Sequence, residues 1–315
     1  MKRSTILLLS FLSLAALPVA AQVNDTYVIP VSANVAGAFG TRWQTQFSVF
    51  NPQTDRQLKI TVVFLPTGGA QGDSVTFTVP SNAVAYSDNI LDDLKFRGAS
   101  GALLVYTDDR DNPGDKLSRS FLVTSNTFNN SRNGTFGQTI PGVWTGLQDY
   151  ATDGISAVVH GIRNISSQGW RTNVGAVNLG RCNATLRVSV YDVDGKTILN
   201  KASYPLPPLG HIQSSLPVTV DRGSIEFFVD DPCVKNPDNA AVVFPYSSTI
   251  DQLSGDPTYQ TPVLLADPKT IFAKTATGPI GKTIDNVRAK AIRDSSITLG
   301  EALLVRDASG YRITR

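Results

Sequence analysis

The sequence predicts an all-β protein: two tandem antiparallel immunoglobulin-like β-sandwich domains, with a jelly roll as the alternative, and a small C-terminal extension. Three observations lead there. The first is composition. Glu occurs only at 226 and 301 and Met only at 1, while Val, Thr, Ser, Gly and Asn abound. Glu and Met favour helices, whereas Asp, the dominant acid here, favours turns and caps. The second is alternation. Trp43, Thr45, Phe47 and Val49 share one parity against Gln44, Gln46 and Ser48; Leu58, Ile60, Val62 and Phe64 do so against Lys59 and Thr61. A period of two marks a strand with one buried face. The third is internal repetition. Trp43 and Trp170 each have Thr two residues on and Asn eight residues on, and further landmarks recur at a nearly constant offset. Self-similarity at a fixed period points to a repeated domain.

The chain opens with Lys2-Arg3, an apolar run from Ile6 to Leu17, and Val19-Ala20-Ala21. This is the pattern of a secretory signal peptide (1–21), with cleavage expected after Ala21. The apolar run is too short to span a bilayer, and no later run is long enough. The expected location is therefore periplasmic or extracellular. The mature chain is long enough for two ordinary domains and a sizeable core. The formal charge of +2 equals the contribution of Lys2 and Arg3, so the mature protein is formally neutral. That argues against a nucleic-acid partner.

Residues 22–141 form the first expected sandwich. Tyr27 to Val31 is an opening strand, and a Gly-rich turn leads into the Trp43 strand. Asn51 to Asp55 turns the chain into the Leu58 strand, which Gly68-Gly69 breaks. Val75 to Val79, Ala83 to Ile90, Gly101 to Tyr106 and Ser118 to Phe128 follow as strands, with one helical turn expected near Asp92–Phe96. Seven or eight short strands in this length suit an antiparallel sandwich. Residues 142–154 read as a linker carrying Trp144 and Tyr150.

Residues 155–267 form the second expected sandwich. Leu186, Val188 and Val190 alternate up to the turn at Asp194-Gly195, as Leu58 to Gly68 does. Gly223 to Asp231 parallels Gly101 to Asp109, and Gly255 to Pro262 parallels Gly134 to Pro141. Residues 268–315 repeat nothing and are basic. A short helix is expected over Thr283–Arg293, and a hairpin around Asp307-Ala308-Ser309-Gly310. The basic extension is expected to pair with the more acidic domains, with docking on an anionic surface as the alternative.

The run Ile29-Pro30-Val31, Gly37, Gly40-Thr41-x-Trp43-x-Thr45, Asn51-Pro52, closing with Gly134-Thr135-Phe136-Gly137-Gln138-x-Ile140-Pro141, resembles uncharacterised secreted bacterial proteins built of tandem β-sandwich repeats. Arg171-Thr172-Asn173-Val174-Gly175 fits the same pattern. The resemblance covers about residues 28–262. It implies an immunoglobulin-like extracellular fold and no established activity.

Cys182 and Cys233 are the only cysteines. In an exported chain such a pair reads as a disulfide, against the alternative of two separate buried thiols. No metal or other cofactor is expected. Asp108, Asp109, Asp111, Asp115, Asp230 and Asp231 are weak calcium candidates, because oxygen-rich loops bind Ca²⁺ but this spacing fits no known loop. Asp192 to Gly195 reads as a hairpin turn. The two histidines, 160 and 211, hold non-equivalent positions, and no Gly-x-Ser-x-Gly elbow accompanies them, so a Ser-His-Asp triad is not expected.

The expected function is non-catalytic: a structural, adhesive or interaction protein with a protein or glycan partner. A carbohydrate-binding module is the first alternative and an Asp-based hydrolase the second. Trp43 and Trp170 are expected in the core. The interaction candidates are Trp144 and the opposite strand face, where Gln44 and Gln46 stand in one copy and Arg171 and Asn173 in the other.

Overall fold

The computed structural model describes residues 25–37, 40–69, 73–96, 99–107, 120–131, 134–144, 151, 154–236, 239–265, 299–301, 303–307 and 310–314. The leader, the acidic run 108–115 and the expected helix at 283–293 lie outside them. Strands dominate. The first group is β1 (Thr26–Ala36), β2 (Arg42–Asn51), β3 (Leu58–Pro66), β4 (Ser74–Val79), β5 (Ala83–Ser87), β6 (Ala99–Thr107), β7 (Leu122–Ser131), β8 (Gly134–Pro141) and β9 (Val143–Trp144). The second is β10 (Ser156–Asn164), β11 (Trp170–Asn178), β12 (Ala184–Tyr191), β13 (Ile198–Leu206), β14 (His211–Ser215), β15 (Val220–Asp230), β16 (Val243–Asp251), β17 (Pro257–Gln260) and β18 (Val263–Leu265). Last come β19 (Leu299–Glu301), β20 (Leu303–Asp307) and β21 (Gly310–Thr314). The expected helical turn is α1 (Ile90–Asp93), capped by the Asn89 side chain, which accepts from the Asp92 amide.

The protein is an all-β sandwich structure. In the first sandwich β4-β3-β6-β1-β9 make one sheet and β8-β7-β2-β5 the other, with the end of β1 crossing over to pair with β2. In the second, β13-β12-β15-β10-β18 face β14-β11-β16-β17. The two strand orders correspond position for position. Each sandwich has its own core, built around Phe47, Ile60 and Leu103 in the first and Val174, Val188 and Phe227 in the second.

The repeated Trp-x-Thr…Asn pattern now has a mechanical explanation. Thr45 and Thr172 sit inside at zero exposure. Thr45 Oγ1 lies 2.9 Å from Thr127 Oγ1 and also bonds the Ala33 backbone, tying β2 to β7 and β1. Thr172 does the same with Thr249 and the Arg163 carbonyl. The Asn locks a corner. Asn51 Nδ2 donates to the carbonyls of Arg56, Val79 and Pro80, while its Oδ1 accepts from the Gln53 amide. Asn178 Nδ2 donates to Cys182 and Leu206, and its Oδ1 accepts from Gly180 and Val242. Buried backbone groups outside a ladder need such partners.

The two sandwiches are packed face to face. Val28, Val63, Leu65, Ala102, Leu104 and Tyr106 on the outer face of the first meet Val177, Leu179, Leu209, Val242 and Phe244 of the second. These side chains are buried, and each Val, Leu or Phe among them is worth roughly 1.5–3 kcal/mol when removed from water. The seam is a continuous buried apolar cluster shared by both sandwiches. Residues 143–144, expected as linker, are instead a strand on β1, and Ala151 bridges Val243.

The C-terminal segment returns to the first sandwich. β19 pairs in parallel with β4, and the expected hairpin β20–β21 pairs in parallel with β5. Ile313 is fully buried in the first core. One edge of each sheet of the first sandwich, β4 and β5, is thereby covered. The electrostatic docking expected of this segment reduces, among the described residues, to Arg312 and Asp93 at 3.8 Å.

Candidate functional site

The interface changes character along β11. One parity of this strand, Thr172, Val174 and Ala176, points into the second core. The other, Arg171, Asn173, Gly175 and Val177, points at the first sandwich. Val177 lies in the apolar seam. Gly175 is a glycine because the Tyr246 ring crosses it: a Cβ there would stand 2.2 Å from Tyr246 Cζ. Beyond Gly175 the seam opens into a cleft of about 270 Å³ lined by Arg171, Asn173, Gln213, Ser214, Ser215 and Ser248 from the second sandwich and by Val31, Ala33, Trp43, Thr67 and Gln138 from the first.

Trp43 is buried, as expected, but outside the first sandwich's central core. It packs with Ala33, Val35 and Ile250, across the junction. Gly37 lets the indole lie on the backbone, since a Cβ there would stand 2.5 Å from Trp43 Nε1. Trp170 departs from the expectation of a core residue. It begins its strand at the far end of the second sandwich, half buried, with the Arg163 guanidinium 5.3 Å over its ring. No further sandwich covers that end in the described structure.

A buried hydrogen-bond chain fixes the geometry of the cleft. His211 is 1 % exposed, and its Nε2 lies 3.1 Å from both the Pro30 carbonyl and Tyr246 Oη. A carbonyl only accepts, so Nε2 carries the proton. Nδ1 is then an acceptor, 2.9 Å from Thr67 Oγ1, which donates to it; Ser100 Oγ, 3.1 Å from Thr67 Oγ1, donates in turn. Tyr246 accepts from His211 and donates its own proton to Gln213 Oε1 at 3.2 Å. Burial lowers the His211 pKa to about 4, so the ring is neutral at neutral pH. Burial likewise raises that of Tyr246 well above its ordinary value.

The consequence lies at the end of this chain. With Gln213 Oε1 occupied, its Nε2 amide hydrogens are left over. Asn173 Oδ1 accepts from Ser215 Oγ at 2.8 Å, and Gln138 Oε1 accepts from Ser248 Oγ at 3.2 Å. Their amide nitrogens also have no acceptor among the described residues. Arg171 has no ion-pair partner there either, and its Nε is buried without a hydrogen bond. Desolvation holds its pKa below the ordinary arginine value. Among the described residues no carboxylate lines the cleft. The cleft is thus rich in unspent donors and poor in acceptors.

The remaining sequence candidates are spent elsewhere. Cys182 and Cys233 form a disulfide, with Cα atoms 6.0 Å apart. The cluster of these two sulfurs with Asp231 is no metal site, because disulfide sulfurs are not thiolate ligands. Asp231 is buried and accepts from the amides of Cys233 and Ala241, so it organises the disulfide loop. Asp230 pairs with Arg187 on the surface. Asp108, Asp109, Asp111 and Asp115 lie outside the described residues, as does the Trp144 side chain. Asp194 binds the amides of Lys196 and Thr197 within its hairpin turn. His160 is exposed, away from the cleft, its carbonyl accepting from Gln260.

Gln44, Gln46 and Ser48, the counterparts of Arg171, Asn173 and Gly175, lie on an open outer face. There Gln46 bonds Asp88 and Ser48 bonds Thr124. In the second copy the strand face singled out from the sequence packs against the first sandwich. Gln138, Gln213 and Tyr246 were not legible as site residues. Gln138 stood only within the repeated closing run, Gln213 and Tyr246 carry no motif, and only the docking of the two sandwiches brings the three together.

Comparison of the chain with protein-family models, with curated proteins and with solved structures finds no match. What places the protein in a class is its own geometry: an all-β sandwich protein with one disulfide. Among the described residues no helix is long and apolar enough to cross a membrane.

Proposed function

We propose that this is an exported, non-catalytic interaction protein, built by duplication of one sandwich, that holds a ligand at the junction of its two copies. The observation that carries this reading is the donor-rich cleft. Its furniture suits holding better than reacting. The serines at its wall donate to amide oxygens and have no base beside them, and the neighbouring histidine is bonded at both ring nitrogens. Nucleophilic or acid–base chemistry needs an activated pair within hydrogen-bond reach. The disulfide and the leader-like N-terminus support export. Matching strand orders and the matching Thr and Asn bonds support duplication, and with it the resemblance to secreted tandem-sandwich proteins.

A carbohydrate-binding role is the second reading, favoured by the amides and the Trp43 wall of the cleft. Fractionation and mass spectrometry test export: the recovered protein should lie outside the cytoplasm and begin at Gln22. Assays with ester, glycoside and peptide substrates test the non-catalytic assignment, which any turnover above a denatured control would overturn.

A further inference from the structure

We infer that the junction cleft binds a carboxylate-bearing sugar of monosaccharide size, a uronic-acid type of ligand, with Arg171 as the carboxylate anchor. The inference rests on the non-catalytic ligand-holding reading above in its carbohydrate-binding form, and names the ligand class for the same cleft. The charge argument comes first. The Arg171 guanidinium is half buried, with its Nε shielded and unbonded, so an anion placed against it gains more than at a fully exposed arginine. Among the described residues the cleft wall offers no anion, so a ligand from outside can supply one. Guanidinium favours planar carboxylates and phosphates through paired N–H donors.

The second argument separates a bare anion from a larger ligand. Besides Arg171, the amide nitrogens of Asn173, Gln138 and Gln213 are unspent among the described residues, and they come from three different strands on both sandwiches. Orientation is not arbitrary at Gln213, because the His211–Tyr246 chain fixes its oxygen as the acceptor. One carboxylate cannot serve donors on both walls. A ring that carries hydroxyl oxygens as well as a carboxylate can. The third argument is size and wall. The cleft volume of about 270 Å³ is on the scale of one sugar ring. Val31, Ala33 and Trp43 supply an apolar side against which a sugar's C–H face can lie.

The test is isothermal titration of the full-length mature protein with glucuronate and galacturonate, beside glucose, galactose and acetate. At least one uronate should bind saturably, about tenfold or more tighter than its neutral sugar and than acetate. Arg171→Gln should abolish that preference without lowering the melting temperature, since it removes no ion pair. Gln138→Glu is the second variant. It is isosteric, places a negative charge in the cleft, and should weaken uronate binding by about tenfold or more. Equal binding of uronate and neutral sugar, equal binding of acetate, or no saturable uronate binding would overturn the inference. So would uronate affinity unchanged in both variants. Chromatography of the ligand after incubation keeps the two readings apart. A consumed uronate sinks the non-catalytic reading and leaves the ligand class standing; an unbound and unconsumed one sinks the ligand class alone.

Discussion

Acid should unlock the two sandwiches from each other through His211. This ring belongs to the second sandwich, yet its hydrogen bonds reach Pro30 and Thr67 of the first. Its pKa falls from 6.5 to about 4 because burial opposes the charged form. In the unfolded chain the same imidazole takes up a proton near pH 6.5. Between pH 6.5 and 4 the unfolded state therefore holds more protons than the native state, and stability rises with pH across that window. The contribution is fully present above pH 6.5 and is lost as pH falls towards 4. At about 1.36 kcal/mol per unit, the shift amounts to about 3 kcal/mol. Its hydrogen-bonding partners are neutral, and the raised Tyr246 hydroxyl does not ionise in this range. Urea unfolding at half-unit steps from pH 7.5 to 4 reads the effect, with His211→Gln as the comparison. Wild type should lose about 3 kcal/mol across the window. The variant should start less stable and show a flatter profile. A flat wild-type profile, or an identical slope in the variant, would refute the buried neutral imidazole.

Four further outcomes are expected. Gly175→Ala forces a methyl into the Tyr246 ring, which is held between the rings of His211 and Tyr259; denaturant midpoints should report a loss of about 1–3 kcal/mol. Asn178→Ala strands the Cys182 and Leu206 carbonyls and two amides, so it should cost at least about 2 kcal/mol in the same assay. Ile313→Ala should destabilise by about 2–5 kcal/mol, although the residue lies two positions from the C-terminus, because its side chain fills the first core; an unchanged melting temperature would show that the hairpin is not docked. Reducing Cys182–Cys233 opens a 51-residue separation and should lower stability by up to about 4 kcal/mol in the chain-entropy model, seen as a lower melting temperature in dithiothreitol.

Alternation along β2 and β3 made the strands and their buried faces legible, because a period of two is a local property of the chain. The Trp-x-Thr…Asn repeat was legible as scaffold for the same reason. Its Thr and Asn bind backbone groups within their own sandwich. The burial of Arg171 and Asn173 was not legible. Polar residues on the second face of a strand normally mark a solvated surface, and only docking against another sandwich turned this face inward. One cue existed. Ala241-Val242-Val243-Phe244 is a continuous apolar run, the pattern of a strand buried on both sides. The return of the C-terminal hairpin to β5 was equally hidden. Its pairing spans more than two hundred residues of sequence, and parallel pairing at an edge leaves no local trace.

The cleft's unspent donors are the centre of this account, and nuclear magnetic resonance of protein labelled with ¹⁵N at Arg, Asn and Gln side chains reads them directly. On addition of the bound uronate, the Arg171 Nε–H signal and the side-chain amide signals of Asn173, Gln138 and Gln213 should move together and saturate at one concentration. Shifts confined to other side chains, or an Arg171 signal that stays still while uronate binds, would contradict it.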